Sequence, residues 1–172
     1  MSFDTAPIYE SQKLIGEFVK QHRLSSQIKI HTKISSFRNS DESFEDIGQI
    51  IESSMKELSV DSLETLFFHD ANDFAGVIDN IETIQILKNK YNIGKIGFSI
   101  YSPSDILEYE RNNLSFAFQF PYNVVDNRFS NNKIKKNYRF GRSIYLQGLL
   151  ATHSVPKNHS NKLRDFQKDY HL

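Results

Sequence analysis

The stretch SLETLFFHD, residues 62–70, has the pattern of a buried β-strand that ends in polar side chains. Its apolar residues follow one another closely, as expected of a parallel strand that is covered on both faces. We predict strands here and in five other stretches, with the bounds Ser2–Thr5, Ile28–Ile34, Leu63–His69, Lys95–Tyr101, Leu114–Phe120 and Ser143–Gln147.

Helical patterns lie between these strands. Two apolar stripes have the spacing of a helix face, and their residues are Leu14, Ile15, Phe18 and Val19 in the first and Ile47, Ile50, Ile51, Met55 and Leu58 in the second. Asp79 and Glu82 predict a capping box at the start of a further helix, which Gly94 ends. Ser102 and Pro103 predict the N-cap and the first residue of another helix.

The alternation of strands and helices predicts the α/β class and leaves two architectures open, a doubly wound open sheet and a (β/α) barrel. The chain contains neither Gly-x-Gly-x-x-Gly nor the Walker phosphate loop, which disfavours a doubly wound nucleotide-binding domain. Residues 128–142 are basic and polar and predict a loop with a short helix. Residues 151–172 are polar and predict a poorly ordered tail.

The composition narrows the classes of protein that fit. The chain of 172 residues has the length of one domain, and it carries 21 basic and 21 acidic residues, a balance that favours neither nucleic acid nor a membrane surface. The absence of cysteine excludes disulfides, thiolate catalysis and cysteine zinc sites, and the histidine spacings indicate no metal. No apolar run approaches the roughly 18 residues that a membrane span needs. We therefore expect a soluble, cytoplasmic protein.

Polar residues occupy the predicted carboxyl ends of successive strands, where a barrel collects its catalytic groups. They are Asp4 and Tyr9 after the first strand, Lys33 and His69 at the ends of the second and third, and Ser99 and Gln119 late in the fourth and fifth. Each also has a structural explanation when taken singly: a solvated strand end for Lys33, a hydrogen-bonded core residue for His69, packing for Tyr9 and a loop contact for Gln119. Their occurrence at consecutive strand ends favours a common site.

The combination of Asp, Tyr, Lys and His fits the reduction of a carbonyl group. Tyrosine is a poor acid at neutral pH because its pKa is near 10, and a neighbouring lysine ammonium lowers that pKa. An aspartate paired with the lysine holds it in place, and a histidine can donate a hydrogen bond to the substrate carbonyl. A nicotinamide is then needed as hydride donor, because no side chain can supply hydride.

The chain resembles the aldo/keto reductase family from Phe3 to about Leu150. The matching stretches are FDTAPIY (Phe3–Tyr9), LIGEF (Leu14–Phe18), HTK (His31–Lys33), SLETLFFHD (Ser62–Asp70), GKIGFS (Gly94–Ser99), FQFPYNVVDNR (Phe118–Arg128) and QGLL (Gln147–Leu150). Their order and spacing make the resemblance specific, and they disfavour an unrelated open-sheet domain.

The resemblance implies a (β/α)8 barrel that reduces an aldehyde or ketone with NADPH. The family's catalytic tetrad falls on Asp4, Tyr9, Lys33 and His69, with Tyr9 as the general acid. The cofactor contacts that the resemblance implies fall on Ser99, Gln119, Arg142 and Ser143.

Three positions depart from the family pattern. The asparagine that follows the serine in the family is Ile100 here, so one amide contact is lost. The aromatic residue that often stacks under the nicotinamide falls on Arg142, whose planar group can also stack on a ring. The loop after Tyr9 is about one residue shorter.

The length also departs from the family, since a complete barrel takes ~250 residues. We expect a single, incomplete barrel domain over residues 1–172, with about six parallel strands that lack the first strand and the C-terminal part of the family barrel. The open edges predict self-association. Two functions remain open, an NADPH-dependent carbonyl reductase acting on a small molecule and a truncated, catalytically inactive fragment or non-enzymatic binding subunit.

Overall fold

The computed structural model describes residues 1–35, 44–110, 115–130 and 138–146, which form one curled sheet of six strands with helices between them. The strands are β1 (Ser2–Asp4), β2 (Lys29–Ile34), β3 (Leu63–Phe68), β4 (Ile93–Ser99), β5 (Ala117–Pro121) and β6 (Arg139–Arg142). The helices are α1 (Ser11–His22), α2 (Ile47–Leu58), α3 (Phe74–Asp79), α4 (Ile81–Lys90) and α5 (Pro103–Glu110), with short 3-10 turns at Phe44–Asp46 and Ala71–Asp73.

The strand order decides between the two predicted architectures. Every neighbouring pair is parallel, and the order β1-β2-β3-β4-β5-β6 follows the chain without reversal. A doubly wound sheet reverses its strand order at a switch point, whereas a barrel adds each strand beside the previous one. The predicted incomplete (β/α)8 barrel is therefore confirmed.

The outer face of the sheet packs against the helices through a large apolar cluster. Its ring contacts centre on Phe98, which stacks on Phe68 at 5.4 Å and on Tyr109 at 4.9 Å between ring centroids. The cluster also includes Leu66 of β3 and Ile51 of α2. Continuous apolar runs in the sequence are explained by this burial, because the strands are covered on both faces.

The inner face of the sheet carries a smaller set of side chains. Phe140 of β6 contacts the rings of His31 and Phe67, at centroid distances of 5.1 and 5.3 Å. Gly97 of β4 makes room for this packing, since a Cβ there would lie 2.8 Å from the Phe67 ring. Side chains of β2, β3 and β6 thus pack together inside the barrel, although β6 is not a neighbour of β2 or β3 in the sheet.

A buried polar network joins α1 and α2 to the sheet. Gln12 is 1% exposed, and its Oε1 accepts hydrogen bonds from the hydroxyls of Thr32 at 3.1 Å and Ser54 at 3.3 Å. Its Nε2 donates to Glu57 at 2.6 Å. The helices approach closely at Gly16, where a Cβ would overlap the backbone carbonyl of Glu57.

This contact also corrects the predicted apolar face of α1. The buried residues of α1 are Gln12, Gly16 and Val19, whereas Leu14 is 64% exposed and Phe18 is 37% exposed. Because the two helices approach closely at Gly16, the buried face of α1 is the one that carries Gln12 and Gly16. The second predicted stripe is confirmed, with Ile47, Ile51, Met55 and Leu58 buried in α2.

The predicted last strand, Ser143–Gln147, is wrong. The described part of it, Ser143–Leu146, is a turn in which Leu146 N donates to Ser143 O at 3.1 Å, and both residues have positive φ values of 58° and 49°. Its apolar residues Ile144 and Tyr145 are exposed. The sixth strand instead lies in Arg139–Arg142, inside the stretch predicted as a basic loop.

The predicted helix start at Asp79 and Glu82 is also wrong. Asn80 separates α3 from α4, and its side chain makes no cap hydrogen bond to α4. The helix ends at Lys90, and the chain turns at Asn92, which has φ 49°. Gly94 lies within β4, where a Cβ would approach the Glu64 carbonyl oxygen to 2.7 Å.

The predicted helix start at Ser102 and Pro103 is confirmed. Pro103 is the first residue of α5, and the Ser102 hydroxyl accepts the backbone N–H of Ser104 at 3.3 Å. The Asp105 carboxylate accepts the N–H of Ser102 at 3.0 Å, which completes a reciprocal cap.

Several predicted features fall outside the described residues. They are the start of the fifth strand at Leu114, residues 131–137 of the stretch 128–142 predicted as a loop with a short helix, the QGLL motif and the tail 151–172. In the described ranges, no helix has the length and apolar character to cross a membrane.

The close contact of α1 and α2 gives a stability prediction. We expect Gly16→Ala to lower the free energy of unfolding by about 1–3 kcal/mol, because the added Cβ collides with backbone and overpacking forces the helices apart. Urea unfolding followed by circular dichroism measures this change.

Gly48→Ala in α2 is the matched control, since a Cβ there meets only side-chain atoms, of Leu87 at 3.4 Å and of Tyr91 at 4.0 Å. Helix propensity favours alanine, so we expect Gly48→Ala to raise the free energy of unfolding by up to about 1 kcal/mol. Equal effects of the two substitutions would contradict the packing account.

Candidate active site

Three predicted site residues meet at the carboxyl ends of β1, β2 and β5. Lys33 Nζ donates to both carboxylate oxygens of Asp4, at 2.9 and 3.1 Å, and to the carbonyl oxygen of Thr5 at 3.0 Å. Gln119 Nε2 donates to Asp4 Oδ1 at 2.9 Å. Because β1 and β5 are not neighbours in the sheet, the last contact crosses the barrel interior.

The ammonium of Lys33 is buried and balanced by its partner. Its side chain is 4% exposed, while that of Asp4 is 45% exposed. Burial lowers the pKa of Lys33 and the charge of Arg142 adds to this effect, whereas the Asp4 carboxylate opposes both. All three N–H donors of the ammonium are engaged by Asp4 and Thr5.

His69 follows β3 directly, and its backbone N–H donates to Ile34 O at 3.0 Å. Partial burial lowers the pKa of its imidazole, and the positive charges of Lys33 and Arg142 lower that pKa further. Asp70 opposes the shift. The ring is therefore neutral at pH 7 and can donate one N–H and accept at the other nitrogen.

Ser99 and Gln119 lie side by side in the register of β4 and β5. Both are buried, and Gln119 Oε1 has no hydrogen-bond partner among the described residues. Ile100, which stands where the family pattern has asparagine, is fully buried in the apolar cluster and donates its backbone N–H to Gln119 O at 2.8 Å. Ile100 therefore helps to hold the two strands together.

Arg142 ends β6 and is held over an aromatic ring. Its Cζ lies 4.3 Å from the centroid of the Tyr101 ring. Its carbonyl accepts the N–H of Tyr122 at 3.0 Å, and the next carbonyl, of Ser143, accepts from Asn123 Nδ2 at 3.2 Å. The side chain of Ser143 is exposed at the start of the turn.

Tyr9 stands apart from these groups. It is 46% exposed and lines a groove of about 520 Å³ along α1, together with Lys13, Leu14 and Glu17. Across the described ranges, no hydrogen bond joins its hydroxyl to Lys33. The structure thus brings Asp4, Lys33 and Gln119 into direct contact and places His69 and Arg142 in their electrostatic field, but it does not bring Tyr9 to the cluster.

Sequence reasoning missed Thr5, Tyr101 and Asn123. Thr5 acts through its backbone carbonyl, which carries no sequence signal. Asn123 has one, since its side chain accepts the N–H groups of Val125 and Asp126 in a tight turn that asparagine favours. The pairing of Tyr101 with Arg142 joins two distant parts of the chain and leaves no local pattern.

Comparison with known proteins identifies the chain's relatives. The model described as "Aldo/keto reductase family" matches residues 2–162. No curated protein matches the chain.

Solved structures of similar fold are aldo-keto reductases and related enzymes. One from Bacillus halodurans in its holo form has a TM-score of 0.74 at 21% identity over 97% of this chain and 62% of its own. A glycerol dehydrogenase from Gluconobacter oxydans has a TM-score of 0.67 at 18% identity over 98% and 56%. An aldo-keto reductase from Klebsiella pneumoniae in complex with NADPH has a TM-score of 0.54 at 16% identity over 71% and 43%.

These likenesses show the fold. The chain spans less than two thirds of the length of each of the three structures.

The buried histidines give a pH prediction. Burial lowers the pKa of both His31 and His69 in the folded protein below the ordinary value of 6.5. Below pH 6.5 the unfolded chain then binds more protons than the folded one, so we expect the free energy of unfolding to fall as the pH drops from 7 toward 5. The limiting slope is about 1.4 kcal/mol per pH unit for each histidine.

Urea unfolding at a series of pH values tests this expectation. His31→Gln and His69→Gln should each reduce the slope, whatever their effect on stability at pH 7. His22→Gln, at an exposed position on α1, is the control and should leave the slope as it is. An unchanged slope in both buried-site variants would contradict the assignment.

Proposed function

The chain belongs to the aldo/keto reductase family, and from this membership we propose that it reduces an aldehyde or ketone with NADPH as hydride donor. The observation that carries the proposal is the ion pair of Lys33 with Asp4, which Gln119 joins from across the barrel. A buried, paired lysine beside a neutral histidine at the carboxyl ends of barrel strands suits proton transfer to a carbonyl oxygen.

The residues present fit a nicotinamide cofactor. Gln119 Oε1 is a buried acceptor without a partner in the described ranges, as the amide N–H of a nicotinamide carboxamide would require. Ser99 lies next to it in register. We propose that Ser99 and Gln119 hold the carboxamide, and that Arg142 and Ser143 contact the cofactor at the end of β6. When bound, NADPH supplies the hydride that no side chain can provide.

The protein's own residues would orient the carbonyl and move the proton. His69, neutral at pH 7, donates a hydrogen bond that fixes the carbonyl oxygen. Asp4 keeps Lys33 charged and in place, and the charge of Lys33 lowers the pKa of a phenol that approaches it. We propose Tyr9 as the general acid that delivers the proton.

For this role, the Tyr9 hydroxyl must come within hydrogen-bond distance of the Lys33 ammonium. The turn that carries it has two backbone hydrogen bonds, from Tyr9 N to Ala6 O at 2.9 Å and from Gln12 N to Tyr9 O at 3.0 Å. We propose that substrate and cofactor binding are accompanied by a reorientation of this turn, which brings the hydroxyl to the Asp4–Lys33 pair.

The position of Tyr9 also supports a second candidate function. With its hydroxyl outside the cluster, the chain would bind cofactor without turnover, as a non-enzymatic binding subunit or an inactive fragment.

Three further points are part of the proposal. We propose that the substrate is a small-molecule carbonyl compound, that the protein is cytoplasmic, and that it self-associates through the outer edges of β1 and β6.

A substitution at Tyr9 separates the two candidates. We expect Tyr9→Phe to lower kcat by about 10²–10⁴-fold in an active preparation, because general acid catalysis is lost while NADPH affinity is kept. The oxidation of NADPH, followed by its absorbance in a screen of aldehydes, measures this effect.

Tyr91→Phe, at the residue that follows α4, is the matched control, since it removes a hydroxyl whose partner is Glu52 on the surface. Its activity should equal that of the unmodified chain. Turnover that survives Tyr9→Phe would overturn the role of Tyr9, and NADPH binding without any turnover would favour the binding subunit.

Cofactor binding is tested directly by fluorescence titration with NADPH and NADH. We expect NADPH to bind more tightly, and we expect Gln119→Ala to weaken its affinity by about 5–50-fold, since a buried hydrogen-bonding group is lost. Gln85→Ala, at an exposed position of α4, is the control. Equal affinity for the two nucleotides would contradict the choice of NADPH, and absence of binding would contradict both the reductase and the binding subunit.

A further inference from the structure

Arg142 carries two nitrogen atoms, Nε and Nη2, that are buried and lack a hydrogen-bond partner in the described part of the chain. In a guanidinium these two N–H groups lie on one edge and point the same way, which matches the two oxygens of a carboxylate. A buried donor without an acceptor is costly, and a charged one more so. The edge of Arg142 is therefore a place where an acceptor is expected.

The side chain is held in position for such a partner. The Tyr101 ring covers one side of the guanidinium, with Cζ 4.3 Å from the ring centroid. The backbone is fixed where β6 ends, by Tyr122 N–H at the carbonyl of Arg142 and by Asn123 Nδ2 at that of Ser143. The donor edge is therefore already ordered in the folded protein, so that binding an acid group costs little further side-chain entropy.

The charge of Arg142 is uncompensated, unlike that of Lys33. Within the described ranges no carboxylate lies within salt-bridge distance of Arg142, whereas Asp4 is shared between Lys33 and Gln119. Arg142 is near enough to lower the pKa of both Lys33 and His69. An incoming oxyanion would relieve this excess of positive charge.

We propose that the Nε and Nη2 edge of Arg142 binds a carboxylate group of the substrate. This inference rests on the proposed function and names its substrate class, which is an aldehyde or ketone that also carries an acid group. The two nitrogens are shielded from solvent, while the residue as a whole is only half-buried. The low dielectric of the site then strengthens the pair.

A phosphate of the nucleotide offers the same oxyanion chemistry. The electrostatic effect of Arg142 on His69 and Lys33 favours the substrate, because these two residues are assigned to the reacting carbonyl. The experiment therefore includes a phosphate arm that distinguishes the two sources.

Equilibrium binding to the full chain without cofactor provides the test. The probes are benzoate, its neutral isostere benzamide and inorganic phosphate, measured by calorimetry. We expect benzoate to bind at least 10-fold more tightly than benzamide, and we expect this preference to fall below 3-fold in Arg142→Gln. Arg142→Lys, which keeps the charge and loses the paired edge, should retain only part of the preference.

Arg139→Gln is the matched control, since it removes a charge from the same strand at a position that faces the other side of the sheet. The preference for benzoate should survive in this variant, and circular dichroism checks that each variant is folded. Equal binding of benzoate and benzamide, a preference that survives Arg142→Gln, or no binding of benzoate at millimolar concentration overturns the proposal. Phosphate binding that exceeds benzoate binding and depends on Arg142 overturns it in favour of the nucleotide.

Turnover with NADPH separates this proposal from the proposed function. If the carbonyl reductase and the acid-binding edge are both correct, 4-formylbenzoate has a KM at least 10-fold below that of 4-formylbenzamide, and Arg142→Gln removes the difference. Turnover of both aldehydes with equal KM values keeps the reductase and overturns the role of Arg142. An Arg142-dependent preference for benzoate without turnover supports the carboxylate site and overturns the reductase.

Discussion

Burial of the Lys33 ammonium is the constraint on which the rest of the site depends. An unpaired charge at 4% exposure would cost several kcal/mol, so its three N–H donors must all find oxygen acceptors. Asp4 and the Thr5 carbonyl supply them from the end of β1, and this fixes how β1 meets β2. Gln119 then has only one orientation in which it reaches Asp4, and its free oxygen is left for a ligand.

The two faces of the sheet have different surroundings. The outer face packs against the helices, and the inner face carries the polar residues of the candidate site. The outer face holds the large apolar cluster with the helices, and Phe98 lies at the centre of its ring contacts. Among the described residues the inner face has few apolar contacts, and at the carboxyl ends of its strands it carries charged and amide side chains. In the described residues, this face holds a Gln119 oxygen and two Arg142 nitrogens that have no hydrogen-bond partner.

Much of the fold follows from local sequence pattern, and the failures have identifiable causes. The second to fifth strands were predictable because each is rich in apolar residues and is bounded by polar ones. β6 was not, since its alternation of arginine with Phe140 and Gly141 resembles a polar loop until its inner face is known. Polar strand ends indicated the cluster of Asp4, Lys33 and Gln119. The stacking of Arg142 on Tyr101 and the exposed position of Tyr9 depend on tertiary contacts that no local pattern encodes.

The hydrogen bond between Gln119 and Asp4 has a consequence for the order of folding. It joins residues 115 positions apart, whereas β1 and β2 pair over fewer than 30. Closing the longer loop costs more chain entropy, so neighbouring strands assemble first and the contact across the barrel forms last. A chain stopped before that step would have native secondary structure and a packed outer cluster, but Asp4, the partner of Lys33, would lack its hydrogen bond from Gln119. We therefore expect the polar contacts of the candidate site to form late in folding, when β5 comes within reach of β1.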